Sequence, residues 1–287
     1  MALSIATHDG PFHADDVMAV ALLKTFVDPE ATVDRSRDPA RWDAADVVVD
    51  VGGVFDAEAR RFDHHQAAYT GSRSSAGMVL DWLEPRLEPS LARSLREGVV
   101  DYLDDVDNGR LAPDPRVPCF PRIVSALAET GETREELDRA FARAVDVGRA
   151  FLEGLVAGDR RVREAEAIVV TAMDEARDAG RNVLFLDDYV SWKAPYFAHG
   201  GEGHPTSFVL FPGLDGSWRI VAIPPVEGSF AQKQPLPEAW AGLTDADLEA
   251  VTGIPGAVFC HRNRFIAVFK TREGALKALD DNGLLRR

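Results

Sequence analysis

The residue types best suited to chemistry in this chain fall in three short stretches and one helix end. Thr7-His8-Asp9-Gly10-Pro11-Phe12-His13-Ala14-Asp15-Asp16 is a polar loop between the strand-like run Leu3-Ser4-Ile5-Ala6 and a helix-forming run from Val17 to Leu23. Asp50 closes the β-branched run Val47-Val48-Val49, where a buried strand would stop and leave a carboxylate at its mouth. Gly52 and Gly53 then let the backbone turn, and Asp63-His64-His65 follows. Consecutive residues of an extended segment point to opposite sides, so one imidazole can ligate a metal while the next faces a bound substrate. Further on, Asp107-Asn108-Gly109 ends a helix in a turn, which lets Asp107 leave the helical surface and reach a cleft.

Of the seven histidines, four are His8, His13, His64 and His65, a clustering that favours metal binding over helix capping or incidental loop residues. His8, His13, Asp15, Asp50, His64 and Asp107 pool nitrogen and oxygen donors without a thiolate. Such a set fits Mn²⁺, Fe²⁺, Zn²⁺ or Co²⁺ better than an all-oxygen Ca²⁺ site. It also exceeds what one hydrolytic ion with open positions needs. Two ions about 3.5–4 Å apart, bridged by one carboxylate, would use every donor, and this is the usual arrangement for cleaving phosphate esters. Asp50, alone at its strand end, is the natural bridge.

The elements that must position these groups read as α/β. Strand, loop and helix alternate through residues 1–132, which we take as a metal-binding catalytic domain; in an open α/β sheet, loops at the carboxyl ends of the strands bind ligands. Thr32-Val33-Asp34 through Trp42 reads as an edge strand and loop, and Ser72 to Ala76 as a small-residue segment before a helix. Asp101, Asp104 and Asp105 have the spacing of a solvated helix face. Residues 133–180 form a helical connector that opens on the capping box Thr133-Arg134-Glu135-Glu136 and reads as two stretches, the second from Arg160 to about Ala179. Residues 181–287 turn to strands with two helices, a smaller α+β substrate-binding domain. There, His199-Gly200-Gly201-Glu202-Gly203-His204 could clasp a terminal phosphate or sugar through backbone N–H groups, although a Gly-rich surface loop reads equally well. Trp192 fits the core better than a stacking role, and His261 sits at a strand-to-turn position that could reach a cleft.

Composition narrows the function class. A formal net charge of −15 argues against holding long nucleic acid on a broad basic face, but not against engaging a few nucleotides through metal ions. Two distant cysteines, Cys119 and Cys260, suggest a reducing compartment. The N-terminus lacks a basic region followed by an apolar run, and no stretch of eighteen apolar residues occurs, so a cytoplasmic protein without membrane association is expected. An oligomer is compatible with the sequence but does not follow from it.

The succession of His8, Asp15, Asp50, Asp63-His64-His65 and Asp107 resembles the DHH phosphoesterase superfamily, which includes RecJ-type nucleases and family II inorganic pyrophosphatases. The Thr7–Asp16 loop, Asp50-Val51-Gly52-Gly53, Arg61-Phe62-Asp63-His64-His65-Gln66, Gly253-Ile254-Pro255-Gly256 and Thr271-Arg272-Glu273-Gly274-Ala275 look like one branch, the melanocyte-proliferating-gene (Myg-type) family. The resemblance implies a DHH-type domain with a largely parallel sheet flanked by helices, and a smaller α+β domain at the C-terminus. It implies two divalent ions, most naturally Mn²⁺ with Mg²⁺, Co²⁺ or Fe²⁺ as substitutes, and 3′-5′ exonuclease action on RNA or short oligonucleotides. By motif, His8, His13 and Asp50 would hold one ion, and Asp15, Asp50, His64 and Asp107 the other. His65 would contact the phosphate, and Asp63 would orient the imidazoles. Two departures stand out: His13 replaces the Asp usual in the wider superfamily, and Lys233 stands where the family pattern leads us to expect an Arg for phosphate contact. Two other readings compete with the nuclease: a phosphoesterase or pyrophosphatase acting on a small phosphorylated metabolite, and a non-catalytic binding protein in which metal only stabilises structure.

Overall fold

The structure is a computed structural model and describes residues 2–286. It divides into two compact units, residues up to 159 and from 160 onward.

In the first unit β1 (Ser4–Thr7) leads to helix α1 (Ala14–Phe26), then β2 (Thr32–Arg35), α2 (Pro39–Asp43), β3 (Val47–Val49), β4 (Phe55–Asp56) and β5 (Arg61–Phe62). The five-stranded sheet has the order β2-β1-β3-β5-β4. Pairing is parallel from β2 through β5, and only the short edge strand β4 runs antiparallel. The sheet is therefore largely parallel, as expected. Its order places a switch point between β1 and β3: the chain leaves β1 for β2 on one side, then returns to build β3 and β5 on the other. Ligand crevices form at the carboxyl ends of strands at such points.

Val47, Val48 and Val49 are all buried, as a parallel strand covered on both faces requires. Helix α1 is buried continuously from Asp15 to Leu23, so its apolar residues form no stripe, and its two acids are carried inside with them. Beside it pack α3 (Ser75–Leu83), α4 (Pro89–Leu95), α5 (Asp101–Asp107) and α6 (Phe120–Ala128). One wide turn, Arg96–Val100, joins α4 to α5. The helix that follows, α7, runs unbroken from Arg134 to Asp178. The sequence reads there as two stretches, but the helix passes straight through Gly154 and Gly158, whose cost in a helix interior is only about 1 kcal/mol each.

In the second unit β6 (Val183–Phe185), α8 (Lys193–Ala198), β7 (Phe208–Pro212), β8 (Trp218–Ala222), α9 (Asp245–Thr252), β9 (Ala257–Cys260), β10 (Ile266–Phe269) and α10 (Arg272–Asp281) succeed one another. Its five-stranded sheet has the order β6-β7-β8-β10-β9. Only β6 and β7 are parallel; the remaining pairs are antiparallel, giving the mixed α+β character expected. Among the described residues no helix is long and apolar enough to cross a membrane.

Candidate metal centre

Three strand ends and two helices deliver the donor groups. His8 follows β1, Asp50 follows β3, and Asp63-His64-His65 follows β5. Asp15 and Asp16 lie in the first turn of α1, and Asp107 is the last residue of α5. Asp50 takes a left-handed backbone conformation, with φ of 57°, while its N–H donates to the Phe62 carbonyl at 3.0 Å. For a residue with a Cβ this conformation is uncommon, and such outliers gather at functional sites. Gly52 and Gly53 continue the turn with φ of 98° and 69°, which suits glycine. Asp63 closes it, accepting from the Gly53 N–H at 2.6 Å.

The side chains converge. His8 Nε2 lies 3.2 Å from Asp16 Oδ2 and 3.4 Å from Asp50 Oδ2. Its Nδ1 is 3.0 Å from the Asp9 carbonyl, and donation there keeps Nε2 pointed at the carboxylates. His64 Nε2 is 3.2 Å from Asp107 Oδ2, 3.4 Å from Asp50 Oδ1 and 3.8 Å from Asp15 Oδ2. The two Asp50 oxygens thus face different histidines. Three sets of potential ligand atoms result: His8, Asp16 and Asp50; His13, Asp15 and Asp107; and Asp50, His64 and His65.

All six donors expected from the sequence are brought together, but not in the expected partition. Asp16, and not His13, shares a set with His8 and Asp50, while His13 joins Asp15 and Asp107. Asp16 is absent from the donors expected on sequence grounds. Its position three residues after His13 is the signal that could have found it: as the third helical residue, its Oδ1 accepts from the His13 N–H at 2.9 Å, which fixes Oδ2 toward His8.

Charge is the dominant property of this centre. Both oxygens of Asp15, Asp16 Oδ2 and His64 Nε2 are buried without a hydrogen-bond partner. Buried carboxylates are normally paired, because an unpaired ion in a low-dielectric interior is costly. Burial, reinforced by the charges of Asp50, Asp107 and Asp16, pushes the Asp15 carboxyl well above the usual range, and burial also raises Asp16. Burial would lower the pKa of His8, but its contacts with Asp16 and Asp50 outweigh that and push it up to about 10. Burial would raise Asp50, yet His64 and His8 hold it well below the ordinary carboxylate range. A crowd of inward-facing acids, relieved in part by protonated imidazoles, is what a cation site looks like with protons standing in for metal. The donor set and its orphaned oxygens therefore fit divalent cations.

His65 differs from its neighbour. Its side chain is 63% exposed, and its Nδ1 lies 2.8 Å from Asp63 Oδ1, which also accepts the His65 N–H at 3.1 Å. Asp63 thereby fixes both the turn and the ring that projects from it. Around these groups sit supports that were not legible in the sequence. Ser75, the first residue of α3, donates its hydroxyl to Asp50 Oδ1 at 3.0 Å. Asp104, expected on a solvated face, is buried: it accepts from the Ser74 N–H at 2.8 Å and the Ser74 hydroxyl at 2.7 Å, and pairs with Arg73 at 3.1 Å. Gly77 is required beside it, since a Cβ there would lie 2.5 Å from both Asp104 oxygens.

The residues expected to bind substrate in the second unit make local contacts. Lys233 Nζ donates to Tyr196 Oη at 3.0 Å, the Gly201 carbonyl at 2.6 Å and the His204 carbonyl at 2.9 Å, which uses all three of its protons. His204 is buried, with Nδ1 2.8 Å from Thr206 Oγ1 and Nε2 3.0 Å from the Met173 carbonyl. At Gly201 a Cβ would meet the Tyr196 ring at 2.2 Å. Gly201, His204 and Lys233 thus form one tied cluster around Tyr196. His199 pairs with Glu166 at 2.8 Å, and the His261 ring packs at a tilt of 46° against Phe265 with ring centres 4.4 Å apart. Trp192 is buried, as expected.

Comparison with known proteins places this geometry in a family. Residues 4–281 match the MYG1_exonuc family, described as uncharacterised protein family UPF0160. The MYG1 protein of Chlamydia pneumoniae is 39% identical over 98% of this chain and 98% of its own length. The MYG1 protein of Dictyostelium discoideum is 34% identical over 96% of this chain and 94% of its own. The human MYG1 exonuclease is 31% identical over 95% of this chain and 83% of its own. Match and coverage run through both units, and the chain belongs to the MYG1_exonuc family.

Proposed function

We propose that this chain is a two-metal-dependent phosphodiesterase that removes nucleotides from the 3′ end of RNA or short oligonucleotides. The observation that carries the reading is the buried set of unpaired carboxylate oxygens and imidazoles at the switch point of a parallel sheet, centred on Asp50. The name exonuclease carried by the mammalian relatives supports the reaction class, and the resemblance of the Thr7–Asp16 and Arg61–Gln66 motifs to the Myg-type family is what favours the 3′-5′ direction and the RNA substrate.

In this reading His8, Asp16 and Asp50 would hold one ion; Asp15, Asp50 and Asp107, which all face His64, would hold the other with it; and His13 would close the set beside Asp15 and Asp107. Mn²⁺ suits such mixed imidazole and carboxylate donors. When bound, the ions supply positive charge opposite the phosphoryl oxygens and acidify the attacking water. The protein's own work is positional. Asp50 directs its two oxygens to different histidines, and Ser75 holds that carboxylate in place. Asp63 fixes His65 so that the far edge of its exposed ring, when protonated at Nε2, donates to a phosphoryl oxygen and stabilises charge developing there.

The test is hydrolysis of a 5′-labelled short RNA and its DNA counterpart by metal-stripped protein resupplied with Mn²⁺, with Asp107→Asn as control. Stepwise shortening from the 3′ end, dependent on Mn²⁺ and lost in the control, is expected. Intact oligonucleotides alongside turnover of pyrophosphate or a small phosphate ester would replace this reading with the metabolite phosphoesterase. No turnover of any of these would favour a binding protein.

A further inference from the structure

On one side of the centre, Asp50, Asp63 and His65 form part of the wall of a cavity of about 470 Å³, a size within the roughly 300–1,000 Å³ of small-molecule sites. Its remaining wall includes Arg37, Trp42 and Gly52, none of which belongs to the donor set. Trp42 lies on the short helix α2, between β2 and β3. Its side chain packs with Ala6, Val48 and Val51, and its Nε1–H donates to the Ser36 carbonyl at 2.6 Å. The indole is therefore held in orientation while remaining half-buried at the cavity edge. A Cβ at Gly52 would come within 3.6 Å of the ring, so the absence of a side chain there keeps the approach to the indole clear.

Arg37 completes the wall. Its side chain is 66% exposed, and its acidic neighbour, Asp9 Oδ1, is 3.4 Å away, distant for a guanidinium. Much of its donor fork is available to an anion. A fixed aromatic ring, a cation and the exposed His65 around one cavity match the parts of a nucleotide: a base with a π face and a phosphate.

We infer that Trp42 is a stacking platform for the nucleobase next to the scissile phosphate and that Arg37 receives the neighbouring phosphate. The inference rests on the phosphodiesterase reading above and narrows its substrate to a base-bearing chain, as opposed to a base-free phosphate ester. Stacking on an indole tolerates every base, so the site selects for a nucleotide without selecting a sequence.

The decisive comparison uses wild type, Trp42→Phe and Trp42→Ala on two matched short RNAs, one intact and one with an abasic sugar at the terminal or penultimate nucleotide. For the intact RNA, Trp42→Ala raises KM about tenfold with little change in kcat, and Trp42→Phe restores most of the loss. For whichever abasic RNA removes the stacked base, wild type and Trp42→Ala perform alike. Equal losses on all substrates would mark Trp42 as structural and overturn the inference, as would no loss at all. Should wild type cleave neither RNA, the nuclease reading fails by itself. Tryptophan fluorescence titrated with adenosine 5′-monophosphate then decides the platform: quenching present in wild type and absent in Trp42→Phe sustains it, and identical titrations sink it.

Discussion

Replacing Asp15 should have effects of opposite sign with and without metal. The residue is 1% exposed, and neither carboxylate oxygen has a hydrogen-bond partner. Asp50, Asp107 and Asp16 all raise the cost of its ionised form. Without a cation this carboxylate is a liability, and Asp15→Asn removes the charge while keeping the volume. The amide is as polar as the carboxyl, so the gain comes from no longer burying an ionisable group among Asp50, Asp107 and Asp16, worth about 1–3 kcal/mol. At roughly 2–4 °C per kcal/mol for a domain of this size, the metal-free variant should melt about 2–12 °C above wild type. Mn²⁺ at a hundred times its Kd should stabilise wild type by about 2.7 kcal/mol per site, or roughly 5–11 °C. The variant, short of one ligand, should gain much less. Calorimetric melting in EDTA and in Mn²⁺ makes the comparison. If Asp15→Asn melted below wild type in EDTA, the carboxylate would be making favourable contacts in the metal-free protein, and the argument from orphaned oxygens would be refuted.

Other outcomes follow from the same contacts. Asp50→Ala should be the most damaging single change, lowering both bound metal and turnover; elemental analysis of the purified variant showing two equivalents of metal, with activity intact, would disprove the bridging role. Asp104→Ala leaves the buried Ser74 N–H and hydroxyl without an acceptor while Arg73 keeps Asp101 at 2.7 Å, so it should cost about 1–3 kcal/mol in urea unfolding. Lys233→Met should destabilise the second unit by about 1–3 kcal/mol through three unsatisfied acceptors while leaving metal content unchanged; a variant of undiminished stability with weakened substrate binding would instead restore Lys233 to phosphate contact. Burial lowers the pKa of His204, so the unfolded chain takes up its proton first as pH falls. Stability of the second unit should therefore decline below about pH 6.5, through the interval down to the folded value, and His204→Gln should flatten that slope in melts recorded across pH.

The chemistry of this chain is open to reading because its donors stand at strand ends and helix ends. A β-branched run followed by Asp50 announces a buried strand that stops at a polar mouth, and Asp63-His64-His65 stands out by residue type. The loop before α1 is equally local, with His8, His13 and Asp15 all within reach of one strand-to-helix turn. Supports are harder to see. Asp104 has the spacing of a surface acid, and only the approach of Ser74 from another part of the chain makes it a buried acceptor. Lys233 looks available for phosphate until Tyr196, Gly201 and His204 are found around it.

The sequence by itself therefore pointed to six candidate donors, though not to Asp16, and to the α/β alternation, because these depend on residue type and short-range periodicity. Tertiary structure decided the partition of the donors. Asp15 and Asp16 are adjacent, yet Asp16 faces His8 and Asp15 faces His13 and Asp107, because successive helical residues point about 100° apart and α1 is buried along its length. It also decided that Trp42 borders the centre: Asp50, Asp63 and Trp42 share one cavity only through the sheet order β2-β1-β3-β5, which no local pattern encodes.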